Sequence, residues 1–301
     1  MNAYLIAVLA NIGMMSFVAL SAYVLLLTGE ISFGQQAFFA IGAYGAGIAT
    51  TLWQWPLAPA LVFGALTAAL AAGGVGVATL RLRGFYFSMA TLAMAEMVRI
   101  LCGLATYRTV VDGVEVGPNG ADGFRDIRYI FEHEYTPLQS MALVYAVLAA
   151  VLALFFWIER TRAGRMVRQT GEDELLAELQ GVPVVRVRLA AAAAAGALAG
   201  IGGGFYAHLL TYVEPANFNI MLGVHSLAYG LIGGLGTAFG PVLGVLIDIG
   251  LLESTRLFAG VRMIVFGGLV AVLLIVRPRG VLDERTVHRI VQRCVRRTPK
   301  R

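Results

Sequence analysis

YLIAVLANIGMMSFVALSAYVLLL, residues 4–27, contains neither a charged side chain nor a proline. Wound as an α-helix at ~1.5 Å per residue, it exceeds the ~30 Å of hydrocarbon in a bilayer. No basic segment precedes it in Met1-Asn2-Ala3, so it reads as a first membrane span rather than a cleaved signal peptide. Comparable apolar runs recur along the chain, giving about nine spans near 4–27, 32–52, 57–80, 85–103, 138–158, 189–212, 220–236, 240–257 and 261–276. With 58% hydrophobic and 14% charged residues, the chain is more apolar than a soluble domain of 301 residues can bury. The expected fold is an all-α polytopic transmembrane bundle of about 8–10 spans. The 220–236 run is short and rich in glycine, which leaves open whether it crosses the membrane or re-enters.

The distribution of charge orients the bundle. Arg160, Arg162, Arg165, Arg168, Arg186 and Arg188 crowd the 159–188 segment, and Arg81 and Arg83 fill a short turn. Both face the cytoplasm by the positive-inside rule. The 104–137 loop carries Asp112, Glu115, Asp122, Asp126, Glu132 and Glu134 against Arg108, Arg125 and Arg128, which suits the outer side. Trp53 and Trp55 mark an outer boundary, and Phe85, Tyr86 and Trp157 lie beside inner arginines. Residues 1–282 then form the membrane domain and 283–301 a cytoplasmic tail. Nine basic residues, from Arg277 through Arg301, face Asp283 and Glu284 at this end. Val287, Ile290, Val291, Cys294 and Val295 oppose Arg285, Arg289, Arg293 and Arg296 on a helix suited to anionic lipid. The net charge of +5 therefore points to the bilayer surface and not to nucleic acid. Cys102 and Cys294 fall on opposite sides, so no disulfide is expected.

Small residues four apart align on one helix face and let backbones approach closely. Gly196, Gly200 and Gly204 do so, as do Gly64, Ala68, Ala72 and Gly76, and Gly236, Gly240 and Gly244. The run Gly230–Gly236 has no preceding strand, so it is no phosphate loop; a helix interruption and plain packing both account for it.

Asp248 falls mid-span, where an unpaired charge costs on the order of 3 kcal/mol or more, so it must point into protein. Glu96 and Arg99 are spaced to pair along one helix. His225, Ser226 and Tyr229 offer polar groups that a solute bearing ammonium and carboxylate groups would need, and interhelical hydrogen bonds explain them as well. With Gln35 and Gln36, these residues are the candidates for a pathway or gate. No metal-ligand spacing and no nucleophile–base constellation occurs in the spans, so no catalytic residue, metal or cofactor is expected.

Thr170-Gly-Glu-Asp-Glu-Leu-Leu-Ala-Glu-Leu-Gln-Gly-Val-Pro183 encodes a short cytoplasmic helix. Thr170 can cap it, Asp173 can complete a capping box, Gly181 can end it in the left-handed region, and Pro183 stops its resumption. Leu175, Leu176 and Leu179 share one side, as on a docking helix or a surface-lying linker.

That stretch resembles the cytoplasmic EAA-type loop of ABC importer permeases, and EDELLAELQGV (172–182) resembles the form found in branched-chain amino-acid permeases of the LivM/LivH family. GEISFGQQAFFAIGAY (29–44), LRLRGFYFSMATLAMAE (80–96), LAGIGGGFYA (198–207), IGGLGTAFGPVLG (232–244) and VRPRGVL (276–282) are similar to further blocks of the family. Gln35 stands where the family usually has histidine, and 111–120 is a loose counterpart of its outer-loop glycine element. The resemblance implies a permease subunit in the bacterial inner membrane, importing branched-chain amino acids or similar small polar solutes. It implies a second related permease, a periplasmic solute-binding protein, and two cytoplasmic ATP-binding subunits that engage Glu172, Asp173, Glu174, Leu175, Leu176, Ala177, Glu178, Leu179 and Gly181. The chain itself has no G-x-x-x-x-G-K-[ST] loop. A gradient-driven carrier or channel would share the spans, glycine ridges and buried carboxylate, but it has no use for the capped helix.

Overall fold

The computed structural model describes residues 3–79, 82–111, 114–253, 262–277 and 280. The basic tail at 283–301, with Cys294, lies outside them, as does most of the VRPRGVL block. The chain is an all-α polytopic helix bundle. Helices α1 (Ala3–Leu27), α2 (Gln35–Thr51), α3 (Leu57–Thr79) and α4 (Phe85–Leu104) fill the first four apolar runs. A small sheet follows, made of β1 (Thr109–Val111), β2 (Val114–Pro118) and β3 (Phe124–Arg125), and then the short α5 (Tyr129–Glu132). Next come α6 (Pro137–Glu159), α7 (Arg162–Glu172), α8 (Glu174–Leu179) and α9 (Val184–Leu210). The last elements are α10 (Ile220–Gly233), α11 (Phe239–Val245), which continues as a π-helix over Leu246–Glu253, and α12 (Arg262–Val276). Among the described residues five helices, α1, α3, α4, α6 and α9, are long and apolar enough to span a membrane unaided.

Local chemistry sets the boundaries. Thr136 caps α6 through a reciprocal capping box with Gln139, and Pro137 opens its first turn. Asn219 caps α10 by accepting from the Met221 N–H at 2.9 Å. Thr211 (φ 59°) closes α9, and Gly234 (φ 94°) turns the chain out of α10.

Helix α9 is the axis of packing, lying against α1, α2 and α3. Its small residues make this possible: a Cβ on Gly196 would meet Ala72 Cβ and lie 2.6 Å from the Ala68 carbonyl, and one on Gly200 would lie 2.8 Å from the Gly64 carbonyl. Gly204 would meet Leu61 Cδ2 at 2.6 Å, and Gly203 faces the Phe39 carbonyl of α2. Gly42 of α2 in turn rests on Gly200. Three backbones thus meet through glycine and alanine, and this close approach favours dispersion where no water drives association.

Two boundaries differ from the sequence reading. Helix α2 begins at Gln35, and residues 28–34 run non-helically, with Thr28, Glu30 and Ser32 buried. Their backbone is satisfied by side chains: the Phe33 N–H donates to Thr91 Oγ1 (3.1 Å), Ser88 Oγ donates to the Ile31 carbonyl (2.6 Å), and the Gly34 N–H donates to Ser32 Oγ (3.1 Å). One end of this segment touches the α7–α8 region, where Gly29 lies against Gly171. Phe39, one turn into α2, packs on Gly203, about 28 Å along α9 from Val184. The N-terminus of α2 therefore lies inside the bundle. Gly236, expected on one helical face with Gly240 and Gly244, instead sits in the 234–238 turn, because Gly240 packs against Gly233 and Gly234 and folds the chain back there. Gly240 and Gly244 do share α11, and Gly244 lies against the Tyr229 backbone.

The 104–137 loop, read from sequence only as an acidic connection, is a three-stranded antiparallel meander in the order β1-β2-β3. Phe124 anchors it: its backbone exchanges two 2.8 Å hydrogen bonds with Val213, and its ring packs on Gly47 and Tyr44. At this sheet end Trp53 and Trp55 meet Phe63 edge to face, while Phe85, Tyr86 and Trp157 stand exposed toward the basic end. Exposed aromatic side chains thus stand at both ends of the apolar helices.

Candidate functional site

At the basic end, α7 and α8 form a bracket between α6 and α9. The expected single helix from Thr170 is in fact two. Thr170 lies inside α7, its hydroxyl donating to the Met166 carbonyl at 2.8 Å, and the break comes at Asp173. Asp173 is extended (φ −154°, ψ 107°) and caps α8 by accepting from the Leu176 N–H at 3.0 Å. A carboxylate accepts at an N-cap better than a hydroxyl already bonded within a preceding turn, which moves the cap three residues on. Gly181 (φ 81°) ends the element as expected. Ala177 is buried among Val182, Val184 and Val187, with Met166 and Val167 packed beside them. Leu175, Leu176 and Leu179 are 68%, 52% and 77% exposed, and Glu172 and Glu178 are exposed beside them. One face of α8 is thus seated on the chain, and the other presents an apolar patch rimmed by carboxylates.

Ion pairs fasten this bracket from below. Arg188, at the base of α9, holds Glu174 of α8 with both terminal nitrogens (3.0 and 3.3 Å) and Glu30 of the 28–34 segment at 3.2 Å. Arg83 also reaches Glu174, at 3.3 Å. Burial pushes the Glu30 carboxyl above its ordinary value, and the Arg188 guanidinium opposes that shift. Arg168 of α7 bridges Glu159 at 3.3 Å and the Gly236 carbonyl at 3.1 Å, and Glu159 accepts from the Tyr23 hydroxyl at 3.0 Å. The bracket is therefore tied to α1, α6, α9, the 28–34 segment and the α10–α11 turn.

Inside the bundle, the candidate pathway residues do not form one cluster. Gln35 and Gln36, at the buried start of α2, are 0% and 2% exposed. Neither Nε2 nor Oε1 of Gln35, nor Oε1 of Gln36, has a hydrogen-bond partner among the described residues. Gly223 of α10 makes room for the Gln36 amide, which a Cβ there would strike. Asp248, also fully buried, accepts from the Tyr229 hydroxyl at 2.8 Å and sits in the π-helical stretch. Gly240 rests on Gly233, Gly244 on the Tyr229 backbone and Asp248 on the Tyr229 hydroxyl, so all three face α10. Ser226 donates to its own helix at Gly223 (2.6 Å), and His225 is half-buried, stacked on Phe266 at 4.9 Å. Glu96 and Arg99 pair on the exposed side of α4, with Nε at 2.9 and 3.0 Å from the two carboxylate oxygens. Among the described residues no three His, Cys, Asp or Glu side chains converge to hold a metal ion.

Sequence reasoning counted Arg188 only as a topological charge and passed over Glu30. The signal lay in the sequence: an acid in an otherwise apolar segment has to find a cation. It also missed His208, fully buried in α9, whose Nε2 lies 2.9 Å from Thr50 Oγ1 and whose Nδ1 lies 2.6 Å from the Gly204 carbonyl. That pair ties α9 to α2 near the sheet end.

The bundle, its glycine seam and its broken segment define a multi-pass membrane protein of the permease class. Residues 4–277 match the family of branched-chain amino acid transport system permease components, and the chain belongs to that family. It is 29% identical to the high-affinity branched-chain amino acid transport system permease protein LivM of Escherichia coli K12, over 85% of this chain and 64% of that protein. It is 28% identical to LivH of the same organism, over 53% of this chain and 52% of that protein. To the nucleoside ABC transporter permease protein NupC of Lactococcus lactis it is 24% identical, over 77% of this chain and 75% of that protein. The chain therefore spans 64% of the length of the LivM protein it matches. No solved structure matches it significantly.

Proposed function

We propose that this chain is the membrane permease subunit of an ATP-binding-cassette importer in the bacterial inner membrane. Its cargo is branched-chain amino acids or similar small polar solutes delivered by a periplasmic binding protein. The basic end, with 159–188, faces the cytoplasm, and the 104–137 sheet faces the periplasm. A second related permease completes the pathway, and two ATP-binding subunits supply the force; this chain hydrolyses nothing. The observation that carries the reading is the α8 surface: three exposed leucines on a capped helix, seated by Ala177 and by Glu174 on the basic end of a family permease bundle.

The test is transport and capture together. The complex, purified in mild detergent through a tag on this chain, is expected to bring down an ATP-binding subunit. Vesicles reconstituted with it and its binding protein should accumulate labelled leucine with ATP, with uridine as competitor to read the nucleoside alternative. Changing Leu176 and Leu179 to aspartate should lose the ATP-binding subunit while the chain still inserts, since both side chains point away from the bundle. Leucine accumulation driven by an ion gradient with no second subunit present would replace this reading with a secondary carrier.

Within the importer the solute passes near the buried amides of Gln35 and Gln36 and near the Tyr229–Asp248 pair; Glu96 and Arg99 reach that route where the second permease closes over α4. Asp248→Asn keeps the shape but removes the carboxyl, so leucine uptake should fall about tenfold with assembly intact. Normal uptake by that variant would take Asp248 off the route.

A further inference from the structure

Glu30 and Arg188 lie beneath α8, away from its exposed leucines, and do more than neutralise each other. Arg188 divides its guanidinium between two elements: Glu174 of the docking helix and Glu30 of the non-helical segment, its side chain only 18% exposed and that of Glu30 8%. The 28–34 segment is touched a second time from the end of α7, three residues before Glu174, where Gly171 lies against Gly29, with Gly171 Cα 3.3 Å from a Cβ built on Gly29. A Cβ on Gly171 would meet the Leu27 carbonyl and stand 3.0 Å from the Gly29 N–H, so backbone rests on backbone with no compliant side chain between. Beyond Glu30 the chain runs without helical hydrogen bonds to Gln35, held by Ser88 and Thr91 of α4. A helix resists bending, whereas a non-helical strand held by a few side-chain bonds can shift as a unit. A cleft of about 30 Å³, room for about one water, adjoins Glu30, Arg188, Thr28 and Gly76 at this junction.

We infer that Arg188 is the positioning residue through which movement of α8 reaches the 28–34 segment and, through it, the buried N-terminus of α2. The inference rests on the importer reading, in which ATP-binding subunits act on α8. Force applied there meets an ionic contact at Glu174–Arg188–Glu30 and, passed through Asp173 to the end of α7, a backbone contact at Gly171–Gly29. Both terminate on the segment that ends at Gln35 and Gln36. A hydrolysis cycle would thereby displace the polar amides at the start of α2 without having to deform the α3–α9 seam.

The experiment separates force generation from its transmission. Removing one member of a buried ion pair strands the other charge, so the informative variant is the double change Glu30→Gln with Arg188→Gln, which leaves Glu174 to Arg83. In the complete reconstituted importer, this variant is expected to retain the ATP-binding subunit and its ATP hydrolysis within about twofold, while leucine moved per ATP falls about tenfold or more. Arg188→Lys, whose single ammonium cannot grip Glu174 with two nitrogens while holding Glu30, should fall between. Wild-type leucine per ATP in the double variant would overturn the inference. So would hydrolysis and uptake falling together in proportion, or a double variant that no longer assembles, since either outcome makes the pair a scaffold. Failure of the unmodified chain to retain any ATP-binding subunit would strike the importer reading instead.

Discussion

Gly203→Leu is expected to prevent the bundle from assembling, with membrane-extracted monodisperse protein falling to a few per cent of the unmodified chain. A Cβ at this position would overlap the Phe39 carbonyl and lie 2.9 Å from the Ala43 nitrogen, both backbone atoms of α2. Overpacking a core usually costs about 1–3 kcal/mol because side chains can shift. Here the obstacle is backbone, so α9 and α2 must separate, and the separation also opens the Gly42–Gly200 contact and the Thr50–His208 bond. A cost above ~3 kcal/mol, or more than ~100-fold in the folded ratio, is the consistent expectation. Gly74→Leu is the control. It changes a glycine of the neighbouring α3 in the same way, but nothing lies within 4 Å of its Cβ position, so size-exclusion profile and thermal midpoint should stay near those of the unmodified chain. Equal losses for the two variants would mean that leucine in any helix is damaging and that the seam is not what holds α9.

The contrast between those glycines also shows what a sequence can and cannot reveal. The spacing Gly196–Gly200–Gly204 identified the face of α9 that meets α3, because spacing of four is a property of a helix and needs no partner to be known. Gly203 carried no such signal, since it lies on a different face and its importance comes from where Phe39 happens to pass. Spans were legible for a similar reason: hydrocarbon imposes length and apolarity on each helix independently. The start of α2 was not. Ile31-Ser32-Phe33-Gly34 could equally have opened a helix; its non-helical path is satisfied locally by Ser32 and otherwise by Ser88 and Thr91, more than fifty residues away. Asp173 and Thr170 are both good caps by composition, and the choice between them was settled by the Met166 carbonyl. The Glu174–Arg188–Glu30 bridge joins three distant parts of the chain, so composition and charge bias could supply its members but not their meeting.

Gln35→Met combined with Gln36→Met should raise stability and abolish function at once. Methionine is close to glutamine in length and flexibility and carries no amide. Buried polar groups left without partners cost roughly 1–3 kcal/mol each, and the Gln35 amide is fully buried with neither end bonded among the described residues. Removing the amides should therefore raise the thermal midpoint by several degrees, given about 2–4 °C per kcal/mol for a chain of this order of size. If solute takes the proposed route, leucine uptake by the reconstituted importer should fall by about tenfold or more, because a zwitterion passing the start of α2 would find no donors and acceptors there to replace its water. A merely structural pair of glutamines predicts the opposite pairing, with stability falling and uptake following it down. The two measurements therefore discriminate in sign and not only in size. Unchanged uptake in a stabilised variant would show that solute passes elsewhere, and a destabilised variant would show that the amides are bonded in the membrane. A rise in stability with loss of uptake would mean that this membrane segment keeps an unfavourable pair of polar groups at its buried end because the cargo needs them.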